Sequence, residues 1–383
     1  MKILHLIVDH QVIERTLGIY ENVFPKSNDI LVFDWKPKEP IKHLGKYKSC
    51  PIVKHGEGEI YGKNFVFNGV THIIAHYLTM DMIDFIKSAP QDIHVCWEIY
   101  GADLYNQFLV DYGYDIYYTS PKKYSKYSIL ETYFGPIFKA LLYLKGVKYV
   151  YPCQRKKQFE YICNRVNSLQ YCCKYDASLI KQYAKKEIPN YEIFNYSLTE
   201  VLGELKGIDF FDGKDILVGN SASLSNNHLY ILKFFGQSLI PNGSDLILPL
   251  SYGGSKSYIN DVISAYSSTF NNKIVIYRDY MPLHEYNKTF TRLRAMILSA
   301  WRQESQGTAI MGFYLGIKVF MSEKSPLYRW FLDCGFIVFS IENATKEQFS
   351  KSLTYEEKVH NRNIVLQRYN EESFVTTLKT NIK

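Results

Sequence analysis

No stretch of this sequence approaches the ~18 consecutive apolar residues that a membrane-spanning helix needs. The opening MKILHLIVDH has a short apolar stretch interrupted by an Asp and two His, which is not the pattern of a secretory leader. The seven cysteines (Cys50, Cys96, Cys153, Cys163, Cys172, Cys173 and Cys334) form no C-x-x-C pair. Neither a disulfide framework nor a structural zinc site is expected, and a reducing cytoplasm is the simplest compartment. The phosphate-loop pattern G-x-x-x-x-G-K-[ST], the dinucleotide pattern G-x-G-x-x-G and the acidic D-x-D of a metal-bound sugar nucleotide are all missing. So are RNA-binding and helix-turn-helix signatures, and any repeat with a period of 20–50 residues.

What is present is aromatic: 16% of the residues, including 33 Tyr and 23 Phe. Hydrophobic residues at 46% and charged residues at 22% describe an ordinary globular chain, and 383 residues suggest two domains. The net charge of +7 is unevenly spread. Residues 118–190 hold 14 Lys/Arg against 4 Asp/Glu, a local net of +10, together with 14 aromatics; the rest of the chain is at −3. Such a segment suggests an anionic partner. Lys122, Lys123, Lys126, Lys139, Arg155, Lys156 and Lys157, with Phe134, Phe138, Leu142 and Tyr143, suit an anionic bilayer or an acceptor carried on one. The bland alternative is a solvated helical face over core aromatics.

Short apolar runs alternate with helical patterns. Strands are predicted at 2–8, 29–33, 71–76 and 93–99, and helices at 13–23 and 80–88. A short helix is predicted at 137–145. After a linker within 194–213 the series is cleaner. Strands at 215–218, 245–250, 273–277, 295–300 and 318–321 alternate with helices at 227–235, 258–269, 283–292 and 308–316. This is the pattern of a doubly wound α/β fold, repeated. The expected domains are residues 1–200, 201–355 and a helical tail 356–383 that packs back on the first domain.

Two loops carry the strongest chemistry. In ILVGNSASLSNNH a strand runs into Gly219, Asn220 and Ser221 and then toward a helix. Glycine admits a ligand close to backbone amides, and a helix start favours phosphate. Ser225 adds a neutral donor, although Ser225 or Asn226 could equally cap the helix. In SAWRQESQGTAIM a strand ends and Gln306, Gly307 and Thr308 open a helix. Open α/β sheets bind ligands along that edge, so the two loops suggest a diphosphate held between them. Glu304 suits a sugar or ribose hydroxyl, and Arg278 and Arg302 could steady the leaving nucleotide. In the first half Asp9, His76, Glu98 and Asp103 follow predicted strands. Each could be a base for a sugar hydroxyl, or simply a cap or turn residue.

Three clusters in this order resemble glycosyltransferase family 56. They are Trp97 with Gly101-Ala102-Asp103-Leu104-Tyr105, then Leu217-Val218-Gly219-Asn220-Ser221 with Ser225-Asn226 and His228, then Arg302-Gln303 with Gly307-Thr308. Asp9 with Arg15-Thr16, His76, and Pro249 with Tyr252 and Tyr258 are similar too. The sequence departs from the family pattern at Glu98, where a His is expected, and at Ser305-Gln306. The resemblance implies a GT-B fold, two Rossmann-like domains facing across a cleft. It implies transfer of a deoxyamino sugar such as Fuc4NAc from a dTDP-linked donor to a polyprenyl-diphosphate-linked glycan. His228 and Tyr252 then join the donor residues. No metal or other cofactor and no nucleic acid is expected. The location would be cytoplasmic, against the inner face of the membrane. Two rivals stand beside this reading: a non-catalytic GT-B-like protein that docks on membranes, and a nucleic-acid binder using residues 118–190.

Overall fold

The computed structural model describes residues 1–10, 12–34, 41–124, 152–194, 197–279 and 281–383. The chain forms two compact units. The first comprises the described residues of Met1–Tyr114, Gly146–Ser197 and Tyr369–Lys383; the second those of Asp115–Lys145 and Leu198–Arg368.

The first unit is built on strands β1 (Ile3–Ile7), β2 (Asn28–Phe33), β3 (Ile52–Val53), β4 (His72–His76), β5 (His94–Glu98), β6 (Ser168–Tyr171) and β7 (Asn190–Glu192). They form one parallel sheet in the order β3-β2-β1-β4-β5-β6-β7. All five residues of β1 (ILHLI) and of β4 (HIIAH) are buried, which is why neither shows the regular polar alternation of a half-exposed strand. One face packs Ile3, Ile74 and Cys96 against Ile19 and Tyr20 of the helix Ile13–Val23 and against Phe374 and Leu378 of the terminal helix Glu371–Asn381.

The second unit holds β8 (Asp215–Val218), β9 (Leu246–Pro249), β10 (Ile274–Tyr277), β11 (Leu293–Leu298), β12 (Lys318–Met321) and β13 (Phe339–Ser340). They are parallel in the order β10-β9-β8-β11-β12-β13. Both sheets start in the middle, wind out to one side, and return to wind the other way. Each therefore has a switch point where consecutive crossovers diverge, between β1 and β4 and between β8 and β11. Crevices at the carboxyl ends of such strands receive ligands.

Most predicted strands agree within two residues. β3, β6, β7 and β13 were not foreseen: two have only two residues, and SLQY and NYE carry too little apolar signal. The tail expected as one piece from 356 divides instead. The helix Tyr355–Arg368 belongs to the second unit, where Lys358 Nζ donates to Asp212 Oδ1 at 2.7 Å and the Arg362 guanidinium lies 3.8 Å from the Phe210 ring centroid. Only the part from Tyr369 packs on the first sheet. Residues Asp115–Tyr124, expected in the first domain, join the second through Tyr118 N–H to Asn227 Oδ1 (2.8 Å) and Tyr124 O–H to Asp261 Oδ2 (3.0 Å). The helix predicted at 137–145 lies outside the described residues. Among the described residues, no helix is long and apolar enough to cross a membrane.

Candidate active site

In the second unit, the loops after β8 and β11 meet at the switch point. Gly219 takes φ +71°, a left-handed value that favours glycine, and an added Cβ would stand 2.5 Å from His228 Nε2. The chain then turns through Asn220 and Ser221, and Asn226 ties the turn shut. Asn226 Oδ1 accepts the Asn220 N–H (3.2 Å), and its Nδ2 donates to Ser221 Oγ (3.1 Å) and to Glu304 Oε1 (3.4 Å). Ser225 Oγ donates to Glu304 Oε2 at 2.6 Å. Arg302 Nη2 closes the group, 3.1 Å from the same carboxylate oxygen. Ser225, Asn226, Arg302 and Glu304 thus form one largely buried network that spans the two loops.

The helix predicted at 227–235 is only His228–Ile231, four residues: a left-handed Asn227 after the 3-10 turn Leu224–Asn226 sets its start, and beyond Ile231 the chain continues in i→i+3 turns. Neither Ser225 nor Asn226 caps it. No useful helix dipole stands behind the Gly219 loop, and its binding capacity lies in side chains and turn amides. The second loop differs. The helix Gln306–Leu315 is ten residues long and opens at Ser305, which is left-handed at φ +68°. Its first intrahelical bond runs from Ala309 N–H to the Ser305 carbonyl. The amides of Gln306, Gly307 and Thr308 therefore face out of the helix end beside Glu304. A Cβ on Gly307 would meet nothing within 4 Å, so this helix end is open.

His228 is wholly buried, and burial pushes its pKa down to about 4. Its Nδ1 lies 3.1 Å from the Tyr258 hydroxyl, whose oxygen also accepts the His228 backbone N–H at 3.2 Å. Tyr252 is exposed; its carbonyl accepts the Ala222 N–H at 2.8 Å, which lays the loop after β9 on the loop after β8. Arg278 is also exposed and follows edge strand β10, two strands from β8, outside the network.

In the first unit the four candidate bases have different surroundings. Asp9 is half-buried, and its two oxygens accept the N–H groups of Lys42 (2.8 Å) and His43 (2.7 Å). Asp103 is buried and saturated. It accepts Trp97 Nε1–H (2.8 Å), Tyr100 N–H (3.0 Å) and Leu78 N–H (3.1 Å); desolvation raises its pKa to about 6 against these bonds. His76 and Glu98 end β4 and β5 and are buried against each other, His76 Nδ1 to Glu98 Oε2 at 2.6 Å. His76 Nε2 lies 2.9 Å from His5 Nδ1, and His5 Nε2 lies 3.0 Å from Asn28 Oδ1. The Asn28 amide donates elsewhere, so its oxygen is the acceptor and His5 Nε2 the donor. His5 Nδ1 then accepts from His76 Nε2–H, and His76 Nδ1 is left facing Glu98. Burial first and His76 second depress His5 to about 3. These groups brace the strand ends from inside; Asp9 is the one of the four at the surface.

Of the basic segment, Lys123 pairs with Asp261 (2.8 Å), Arg155 with Asp111 (2.6 Å), and Lys156 lies 4.7 Å from the centroid of the Tyr112 ring. Lys122 is exposed, and Lys157 lines a cavity of about 440 Å³ with His55, Asp81, Asp84, Lys87 and Tyr161. Lys126, Phe134, Phe138, Lys139, Leu142 and Tyr143 lie outside the described residues. The reading from sequence missed an aromatic group beside the second loop. Trp301, Tyr230 and Tyr118 pack together, with Trp301 and Tyr230 centroids 4.9 Å apart and Lys324 Nζ 3.7 Å from the Trp301 centroid. Trp301 adjoins Arg302, but Tyr118 and Tyr230 are too distant in sequence to reveal the cluster.

The chain is similar in fold to several solved glycosyltransferase structures. Anabaena HepE, solved with UDP and glucose, shares 10% identity, covers 100% of this chain and 99% of its own, and gives a TM-score of 0.62. Sucrose-phosphate synthase from Thermosynechococcus elongatus shares 11%, with coverage of 99% and 98% and a TM-score of 0.60. A trehalose-6-phosphate synthase studied for transfer with retention shares 10%, with full coverage of both chains and a TM-score of 0.57. At these identities the likeness concerns fold, here GT-B. No curated protein sequence matches. The profile of the family described as 4-alpha-L-fucosyltransferase, glycosyl transferase group 56, matches residues 165–367, which is 203 of the 383 residues and contains the whole loop network around Gly219 and Glu304. The chain belongs to glycosyl transferase group 56 and is a glycosyltransferase.

Proposed function

We propose that the enzyme moves a deoxyamino sugar of the Fuc4NAc type from a nucleotide-diphosphate donor, dTDP-linked, to a polyprenyl-diphosphate-linked glycan in bacterial surface polysaccharide synthesis. The observation that carries the donor side is the Ser225–Asn226–Arg302–Glu304 network beside the helix start Gln306–Leu315, which is open at Gly307. The helix end and Arg302 would stabilise the charge that develops on the leaving diphosphate, without a metal. Glu304, already held by three partners, would accept a donor hydroxyl with little reorganisation. Asp9 is the candidate base if the reaction inverts configuration.

Binding at the cytoplasmic face of an anionic membrane is part of the same proposal, and the excess of Lys and Arg over residues 118–190 supports it. The test is thermal protection of the purified chain by UDP-, GDP- and dTDP-sugars, followed by transfer to lipid-linked acceptors. Protection by dTDP-sugars above the others supports the proposal. Protection by no nucleotide would overturn it.

A further inference from the structure

Three of the side chains expected to be catalytic in the first unit, His76, Glu98 and Asp103, are buried among partners around another feature. Three aromatic rings stand where β1, β4 and β5 end: His10, Tyr77 and Tyr100. The His10 and Tyr77 centroids are 6.0 Å apart and nearly parallel at 27°. Tyr100 meets His10 edge-on at 5.4 Å and Tyr77 at 6.2 Å. All three are partly exposed. Strands β1 and β4 flank the switch point of this sheet, so the rings occupy its ligand edge.

Tyr77 is also held in a conformation that its residue type disfavours. Its φ is +58°, left-handed, in a bulky non-glycine residue. Such backbones persist where neighbours over-determine them, and they concentrate at functional sites. The neighbours here are explicit. On one side His76 is pinned by Glu98 and His5. On the other, the Leu78 N–H is held by Asp103 Oδ2. The other oxygen of that carboxylate holds the Tyr100 N–H, so one buried aspartate fixes both tyrosine loops.

We propose that His10, Tyr77 and Tyr100 form a stacking platform for one pyranose ring of the acceptor glycan. The inference rests on the reading that the first unit receives the acceptor. A pyranose offers a face of polarised C–H groups that lies flat on an aromatic ring, with hydroxyls at its rim. The platform has rings for the face and, for the rim, the half-buried Asp9 carboxylate next in sequence to His10. An isoprenoid chain would gain nothing from that carboxylate. In this arrangement Asp103, His76 and Glu98 are positioning residues that act through the two tyrosines.

The test is saturation-transfer NMR on the full chain with the methyl β-glycosides of glucose, galactose and N-acetylglucosamine. The wild type is expected to saturate the ring C–H protons of at least one glycoside. Tyr77→Phe and Tyr100→Phe are expected to keep the signal, and Tyr100→Ala to lose about fivefold in affinity, the scale of one aromatic contact. Tyr77→Gly removes the ring while suiting the left-handed backbone, so its loss of signal cannot be put down to misfolding. Nucleotide protection of the second unit is measured on every variant. Protection without glycoside saturation in the wild type, or with equal saturation in Tyr77→Gly and Tyr100→Ala, overturns the platform alone. Absence of both signals overturns the functional reading with it.

Discussion

Replacing Glu304 by glutamine separates the structural part of the proposed donor site from its binding part. The carboxylate lies 3.1 Å from Arg302 Nη2, 2.6 Å from Ser225 Oγ and 3.4 Å from Asn226 Nδ2, and both members of the ion pair are nearly buried. At an effective dielectric of about 20, charges 3 Å apart attract by about 5 kcal/mol before desolvation is charged against them. Removing one partner of a buried pair costs about 3–5 kcal/mol, because the other charge is left uncompensated. Glutamine keeps an acceptor for Ser225 and recovers part of this, so a loss of about 2–3 kcal/mol is expected. For a unit of this size that lowers the melting temperature by roughly 4–12 °C. A nucleotide diphosphate offers Arg302 a new anion. Protection by the free nucleoside diphosphate should therefore persist in Glu304→Gln, while the extra protection given by the sugar-linked donor falls. Differential scanning calorimetry with and without each ligand reads both effects. A variant that melts within a degree of wild type would refute the buried-pair reasoning. An undiminished increment from the sugar would refute the role of Glu304 toward the donor sugar.

Gly307→Trp should leave the melting temperature nearly unchanged, since its Cβ meets open space, and should abolish nucleotide protection by covering the helix end. Gly219→Ala should lose about 2 kcal/mol or more, read by urea unfolding, because the backbone is left-handed and the methyl meets the His228 ring. The pH dependence has a defined sign at Asp176, which is buried with one oxygen accepting Tyr105 O–H at 2.6 Å and is raised from 3.8 to about 8 by desolvation. Its contribution is fully present below about pH 4 and is lost as pH rises through 8. Urea midpoints of the wild type should fall between pH 5 and 9 more steeply than those of Asp176→Asn, and parallel curves would contradict this. His5 and His228, depressed from 6.5 to about 3 and about 4, run the other way. Their stabilisation holds above pH 6.5 and is lost on acidification, so replacing His5 by Asn should flatten the acid limb between pH 6.5 and 3.

Much of the second unit was legible in the sequence because its strands are short, mostly apolar and spaced by ordinary helices. Asp215–Val218, Leu246–Pro249 and Lys318–Met321 are buried at every position, and continuous burial leaves a continuous run. The two loops were legible for the same reason: they follow those runs, and Gly219 and Gly307 mark the turn and the open helix end. The end of the short helix after β8 was not legible, since past Ile231 the chain goes over to i→i+3 turns, Lys233 N–H to the Tyr230 carbonyl and Phe234 N–H to the Ile231 carbonyl, while the apolar pattern runs on.

The first unit shows the limit more plainly. Sequence alone determined that Asp9, His76, Glu98 and Asp103 lie at or just past strand ends, and that the chain carries two doubly wound halves and a basic aromatic stretch. Only the tertiary structure shows which donors reach each acid. Whether a carboxylate is a base or a brace depends on the donors that reach it. Those of Asp103 come from Leu78, Trp97 and Tyr100, and the partner of Glu98 is a histidine on the neighbouring strand. Hydrogen-bond partners drawn from separate strands and loops are set by sheet order and register, and no local pattern of residues records them.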